Sequence, residues 1–405
     1  MKTFVTFLGR GRENKTTGYR KTTYEFPNKS TKTTAFFGLA LAEYINPDRT
    51  VILGTSSSQW GVLIENLAVD GEEEEARLEI LDAETRGEVE QTHLDRVRNL
   101  MCRAVDCEVV PRLIPFGENE CQQYKILDVI AENVPEGDIN FDLTHGFRHF
   151  GMIGFLSAFM LSRVRGLDVK NLWYGALEMT RDGITPVLRL EGLDRVRQWV
   201  DALNRFDATG DYRVFGSLLT KDGVDAGKAK HLENAAFHER TLNLPAAAEA
   251  IRKFKPVLHS KLTGASELFR IRLLERLAWV DLNDLSKQQA ELARQYLKRR
   301  DYVRAVLFGW EAVVTMVCKK KGLDLKDPYI RREQDVQSEV QQWSLRNGQK
   351  PGDNREACEN LNQIRNALAH GSPPNSRKIQ EIIQDEQRLR DALQGAFDCL
   401  IPSQD

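Results

Sequence analysis

The feature that most restricts the fold of this chain is a change of pattern near residue 193. Before it, short runs rich in β-branched and aromatic residues alternate with longer stretches in which apolar residues recur at helical spacing. The runs at 3–8, 50–53, 108–114, 138–143, 169–177 and 186–190 read as strands; the stretches near 33–44, 59–67, 92–105, 118–132 and 147–165 read as helices. Such alternation predicts an α/β, Rossmann-like, doubly wound domain with a mostly parallel sheet. After residue 193 strand signals stop. Helical spacing continues at 194–206, 235–254, 262–281, 285–299, 301–320, 331–345, 355–370 and 376–400, with breaks at 322–328, 347–353 and 371–374. We therefore expect an α/β domain over 1–190, an all-α connector over 191–285 and a separate all-α domain over 286–405.

Composition narrows the class without selecting a function. With 405 residues, 41% hydrophobic, the chain can bury more than one core, which excludes disordered, collagen-like and disulfide-stapled classes. A net charge of −2 does not exclude a nucleic-acid partner, because a basic patch can be offset by acidic runs such as Glu72-Glu73-Glu74-Glu75. That run, within 71–90, reads more simply as a solvated helix face. The six cysteines show neither a CxxC pair nor zinc-ligand spacing, and no basic-then-apolar signal segment opens the chain. A reducing cytoplasm is the expected compartment. The longest apolar-rich stretch, 150–161, falls short of the about 20 residues a bilayer span needs, so no membrane partner is expected.

Open α/β sheets bind ligands outside the carboxyl ends of their strands, where loops and helix amino termini present unpaired N–H groups. Three expected loops there carry small, hydroxyl or cationic residues: Gly9-Arg10-Gly11-Arg12, Gly54-Thr55-Ser56-Ser57-Ser58-Gln59-Trp60, and Thr144-His145-Gly146-Phe147-Arg148-His149. Hydroxyls donate to phosphate oxygens, glycine admits close backbone approach and Arg or His supplies charge, so the set suits a phosphorylated anion. Taken singly, each loop is as well explained by turn and cap chemistry: Thr55 and Ser56 can cap the next helix, and Asp142 can tie down a turn. A dinucleotide fits poorly, because Gly9-Arg10-Gly11 is a fragment of GxGxxG with Asn at position 14, and no acidic residue closes the second strand. Residues 10–24 read as a long loop or a small hairpin.

In the carboxyl-terminal half, Leu361, Ile364 and Leu368 form an apolar stripe, while Arg365, Asn366 and His370 are polar. Gly371, followed by Pro373 and Pro374, stops the helix directly after His370. Arg and His five apart on a helix are separated by about 140°, so they meet only at a frayed end or across a symmetric pair of copies. Together they suit metal-free RNA cleavage: histidine moves protons at the ribose 2′-hydroxyl or the leaving 5′-oxygen, arginine stabilises the phosphorane and asparagine orients the phosphate. A chance Arg-x4-His, with a histidine that only meets the helix dipole, explains the same residues.

The two halves together resemble a known family. The amino-terminal half is similar to a CARF (CRISPR-associated Rossmann fold) domain of the branch marked by Asp-x-Thr-His-Gly-Phe-Arg, here Asp142-Leu143-Thr144-His145-Gly146-Phe147-Arg148. The carboxyl-terminal half resembles a HEPN ribonuclease domain, with Arg365-Asn366-Ala367-Leu368-Ala369-His370 as its motif and a similar helix opening at Asp301-Tyr302-Val303-Arg304-Ala305-Val306. The resemblance implies an ancillary effector of type III CRISPR antiviral defence, a homodimer or an assembly of dimers. Its CARF domains bind cyclic oligoadenylate, tetra-adenylate being favoured, and switch on metal-independent cleavage of single-stranded RNA. It implies no cofactor and no metal. Gly9, Arg10, Thr55, Ser56, Ser57, Thr144, His145, Gly146 and Arg148 would line the ligand site, with Arg10, His145 and Arg148 answering the phosphates. Arg365, Asn366 and His370 would be catalytic. Trp60 would meet an adenine or pack under its own helix. Two alternatives stay open: a ligand-sensing regulator that cleaves nothing, with Arg294, Lys298, Arg299, Arg300 and Arg304 as a basic recognition surface, and a ring nuclease using Thr144, His145 or Ser56 on cyclic oligoadenylate.

Overall fold

The structure is a computed structural model that describes residues 1–10, 21–65, 67, 72–323, 336, 338–340, 351–371, 373, 374 and 376–401. Gly11 and Arg12, most of the expected loop at 10–24, most of the expected helix at 331–345 and most of the breaks at 322–328 and 347–353 lie outside the described residues. The chain divides into two compact units, Met1–Asp194 and Arg195–Asp405.

The first unit is built on an eight-stranded sheet in the order β3-β2-β8-β7-β6-β1-β4-β5. Its strands are β1 Lys2–Leu8, β2 Thr22–Glu25, β3 Thr31–Thr34, β4 Arg49–Gly54, β5 Glu108–Leu113, β6 Asp138–Asp142, β7 Asp168–Gly175 and β8 Ile184–Arg189. β5, β4, β1, β6 and β7 are mutually parallel neighbours, connected through helices, and β8 returns antiparallel to β7. β1 sits at the centre and is apolar on both faces: Val5 and Phe7 join the core beneath α5 (Glu120–Asn133) and α6 (Arg148–Arg165), while Phe4 and Leu8 join the opposite face. That second face is covered by α1 (Phe37–Ile45), α2 (Trp60–Glu65), α3 (Glu72–Arg86) and α4 (Gln91–Val105).

One element differs from expectation. The helix read over 33–44 begins only at Phe37, because Thr31–Thr34 is a β-branched run that pairs with β2 as a hairpin docked on β8. The Glu-rich run folds as α3, with its acidic side chains mostly at the surface.

The second unit is all-α. Its helices are α7 (Glu191–Thr209, which crosses the unit boundary), α8 (Gly216–Lys221), α9 (Ala226–Arg240), α10 (Leu244–Phe254), α11 (Pro256–His259), α12 (Ser266–Leu277), α13 (Leu285–Lys298), α14 (Tyr302–Lys320), α15 (Pro351–His370), α16 (Arg377–Ile383) and α17 (Glu386–Leu400). The single helix expected at 235–254 is broken at Leu242, whose φ is 61°, and Asn243 then caps α10 by accepting from Ala246 N. The segments expected as connector and separate domain share one continuous core running from Trp199 through Leu277, Leu292 and Val313 to Phe397. Leu297, Tyr296 and Phe308 pack in that same core beside Phe254 and Trp279, so no boundary falls at 285. Among the described residues no helix is long and apolar enough to cross a membrane.

Candidate functional site

The central parallel strands run in the order β5-β4-β1-β6-β7, so the direction of progression reverses between β1 and β6. At such a switch point the loops leaving the two strands diverge and open a crevice. Asp142, the last residue of β6, is fully buried there. Its Oδ2 accepts from Thr6 Oγ1 of β1 at 2.7 Å, and its Oδ1 accepts from Thr144 N at 2.9 Å. Gly175 N of β7 donates to Thr144 Oγ1 at 2.8 Å. Burial pushes the Asp142 carboxyl up to about 6, against the pull of the hydrogen bonds from Thr144 and Thr6. Asp142 thus anchors the loop that carries the remaining motif residues.

That loop then turns sharply. Gly146 has φ +93°, and a Cβ there would lie 3.0 Å from Phe150 Cδ2, so the position needs glycine on both grounds. Arg148 opens α6 at the surface. His145, expected among the cations that answer phosphates, is turned inward: its Nε2 is closed to solvent and it lines a cavity of about 20 Å³ with Thr6, Phe36, Ile52 and Leu63. Burial holds the imidazole down at about 4, so it is neutral at pH 7. His149, not among the expected site residues, bonds through Nε2 to Phe116 O at 2.8 Å and stacks on Phe147.

The loops after β1 and β4 are stitched together. Ser58 Oγ donates to Leu8 O and accepts from Thr55 N, both at 2.8 Å. Gln59 N donates to Gly9 O at 3.2 Å, and Arg10 Nε donates to Ser57 O at 3.3 Å. The Thr55 and Ser57 hydroxyls are buried and lie 3.4 Å apart. Trp60 is wholly buried, with Nε1 donating to Thr55 O at 3.0 Å, so it packs the loop rather than offering a face to an adenine. Ser56 borders a different space, an open cleft of about 660 Å³ in which Arg86 lies between Asp82 and Glu88, with Glu79, Glu90 and His93 also on its walls. Glu84 was not visible as a site residue from sequence. Its Oε2 accepts from Gly61 N at 2.8 Å, and burial pushes its carboxyl up to about 7 despite the opposing charge of Arg10.

In the helical unit, α15 buries Cys358, Leu361, Ile364 and Ala367 against the core. Arg365 and Asn366 sit at the edge of that face, half-buried, and His370 is exposed on the last turn. Arg365 Nη1 donates to Asn366 Oδ1, and its guanidinium carbon lies 5.3 Å from the centroid of Trp310 on α14. Burial lowers the Arg365 pKa and Glu311 opposes that shift. The helix stays regular to its end, where Gly371 N donates to Ala367 O at 3.0 Å with φ +65°. No fraying brings the pair together, so Arg365 and His370 remain about 140° apart around one helix. Of the basic cluster weighed as a recognition surface, two members are tied into the fold, Arg294 Nη2 donating to Ile401 O at 2.6 Å and Arg304 Nε to Asp301 Oδ2 at 2.7 Å, while Lys298 and Arg300 are exposed. Among the described residues no group of three or more His, Cys, Asp or Glu side chains is placed to hold a metal ion.

A parallel sheet with an anchored, glycine-containing loop at its switch point defines a Rossmann-type ligand-binding domain. The match to known proteins is more specific: residues 3–176 match the family model described as CRISPR system endoribonuclease Csx1, CARF domain. The chain therefore carries a CRISPR-associated CARF domain, followed by a largely helical region. Among solved structures, Enterococcus italicus Csm6 bound to cyclic hexa-2′-fluoro-hexa-dAMP is similar at 10% identity and a TM-score of 0.37, over 100% of this chain and 96% of that one. No curated protein matches the chain.

Proposed function

We propose that this protein is a ribonuclease switched on by cyclic oligoadenylate, with the ligand held at the β1/β6 edge and single-stranded RNA cut by the helical unit. The CARF match and the anchored Asp142–Arg148 loop support the sensing half. Arg148, exposed at the start of α6, follows the Gly146 turn, and Arg10, exposed after β1, is a second cation among the described residues of these loops.

The observation that carries the catalytic half is the arrangement on α15: a half-buried guanidinium held by Asn366 and Trp310, and an exposed imidazole at the helix end. The ribose 2′-oxygen attacks phosphorus, the P–O5′ bond breaks, and a 2′,3′-cyclic phosphate and a 5′-hydroxyl result. His370 takes the 2′-hydroxyl proton or delivers one to O5′, and Arg365 stabilises charge on the phosphorane. Asn366, whose Oδ1 accepts from Arg365, keeps its Nδ2 donors for a phosphate oxygen. This chemistry needs no metal.

Because Arg365 and His370 point apart within one chain, a complete site calls for two copies, and α6 offers the surface for pairing. Met152, Leu156, Met160 and Val164 form a stripe at intervals of four, exposed by 63%, 58%, 46% and 70%. Residues 148–165 contain no acidic side chain, and the stripe continues from the ligand loop, so a second copy seated there adjoins the bound ring.

The test is cleavage of a fluorogenic RNA with cyclic tetra-adenylate or cyclic hexa-adenylate, with and without chelator. Cleavage that needs one of these rings and is indifferent to chelator is expected. Intact RNA under all conditions would overturn the ribonuclease reading, and loss of the ring with RNA untouched would favour ring cleavage instead.

A further inference from the structure

We propose that Trp310 is a positioning residue for Arg365, its indole holding the guanidinium in place for the scissile phosphate. This rests on the ribonuclease reading above. Trp310 is 2% exposed on α14, eight residues into a helix that the rest of the core holds rigidly. On the same helix a Cβ at Gly309 would lie 2.2 Å from Phe397 Cε1, so the Phe397 ring of α17 packs directly on the α14 backbone. α15 is fixed against the same core by Leu361 and Ile364, both wholly buried. The indole and the guanidinium are therefore presented by two elements with little freedom to separate.

The geometry is chemically selective. At 5.3 Å from the indole centroid, the guanidinium is within the range of cation–π attraction. The attraction of the ring is to the cation as a whole and limits where the guanidinium can sit. One N–H is given to Asn366 Oδ1, and the Glu311 carboxylate acts on the same group. The guanidinium is thus restrained by several neighbours, and its position is set before RNA arrives. A charge that needs no reorganisation as the phosphorane forms stabilises the transition state more than the ground state. Trp310 never touches substrate in this arrangement; it acts through Arg365.

The test compares Trp310→Phe with Trp310→Met, which both shrink the side chain, Met further than Phe, and differ in keeping an aromatic face. Each is made in the natural chain and with Arg365→Lys, which keeps the charge but loses the guanidinium. Multiple-turnover cleavage is measured with cyclic tetra-adenylate and cyclic hexa-adenylate, alongside thermal unfolding. We expect Trp310→Phe to keep kcat within about three-fold, and Trp310→Met to lower it roughly ten-fold with KM nearly unchanged. In the Arg365→Lys background Trp310→Met should change kcat less than about two-fold, because the partner it served is gone. Equal losses from Trp310→Met in both backgrounds, or no loss in either, would overturn the proposal. If Trp310→Met does not fold, Trp310→Leu takes its place in the same cycle. An unaltered chain that cleaves no RNA would bring down the ribonuclease reading and this inference with it, an outcome told apart by the unaltered control.

Discussion

Thr6 of β1 donates a 2.7 Å hydrogen bond to Asp142 of β6 across the point where the strand order reverses, joining residues 136 apart in the chain. Beside it, the same buried neighbourhood holds His145 in its neutral form. The two groups shift in senses that oppose each other in their effect on stability.

Asp142 is raised from 3.8 to about 6 by burial, so the folded state binds a proton that the unfolded state has lost, and stability drains away as pH rises from about 4 to 6. His145 is lowered from 6.5 to about 4, so its contribution is present above pH 6.5 and drains away as pH falls towards 4. The two slopes offset one another between about pH 4 and 6. Glu84, raised to about 7, adds a falling slope to both chains, so the variant is read against the natural chain: Asp142→Asn removes the Asp142 slope, and its stability relative to the natural chain should rise by roughly 1.4 kcal/mol per pH unit through that window. Denaturant unfolding of both chains at a series of pH values reads this directly, and a difference that does not change with pH would contradict it.

His370→Ala should abolish RNA cleavage and leave binding of cyclic tetra-adenylate or cyclic hexa-adenylate intact. The side chain is exposed at the end of α15 and its removal opens no cavity, so the unfolding temperature should move little. Cleavage assay, isothermal titration and thermal unfolding on one preparation separate these effects.

Leu156→Glu places a charge in the middle of the α6 stripe, at a position 58% exposed in the single chain. We expect a folded monomer by analytical ultracentrifugation and loss of activated cleavage. A dimer of unchanged strength would remove this face from consideration.

Glu239 and Arg276 form an ion pair in the helical core, both almost wholly buried, and the Glu239 carboxylate also accepts from Tyr212 Oη at 3.0 Å and Tyr296 Oη at 2.6 Å. Removing one partner strands the other charge in an apolar interior. Glu239→Ala should therefore cost about 3–5 kcal/mol, and replacing both residues, as Glu239→Leu with Arg276→Met, should recover much of it. Denaturant titration of the single and double variants checks the difference.

Much of this molecule was readable before any coordinates. The alternation of strand and helix up to residue 190, the stop at Gly371 and the solvated α3 all depend on residues close in the chain, where backbone preference and apolar spacing act locally. The motif from Asp142 to Arg148 was visible for the same reason. The helix broken at Leu242 shows the limit of periodicity: two helices with compatible apolar spacing look like one until a cap and a left-handed residue intervene.

What tertiary structure alone decided is where polar groups end up. Trp60, at the start of α2, and His145 come from stretches rich in binding-type residues, yet packing turns both inward. Thr6, Glu84 and Trp310 carry no local mark of their roles, because each acquires one only from a partner brought close by packing. The merging of connector and carboxyl-terminal helices into one core has the same origin. Local sequence sets which elements form and which of their faces are apolar; burial and pairing energies, which depend on contacts between distant residues, choose among the ways those faces can meet.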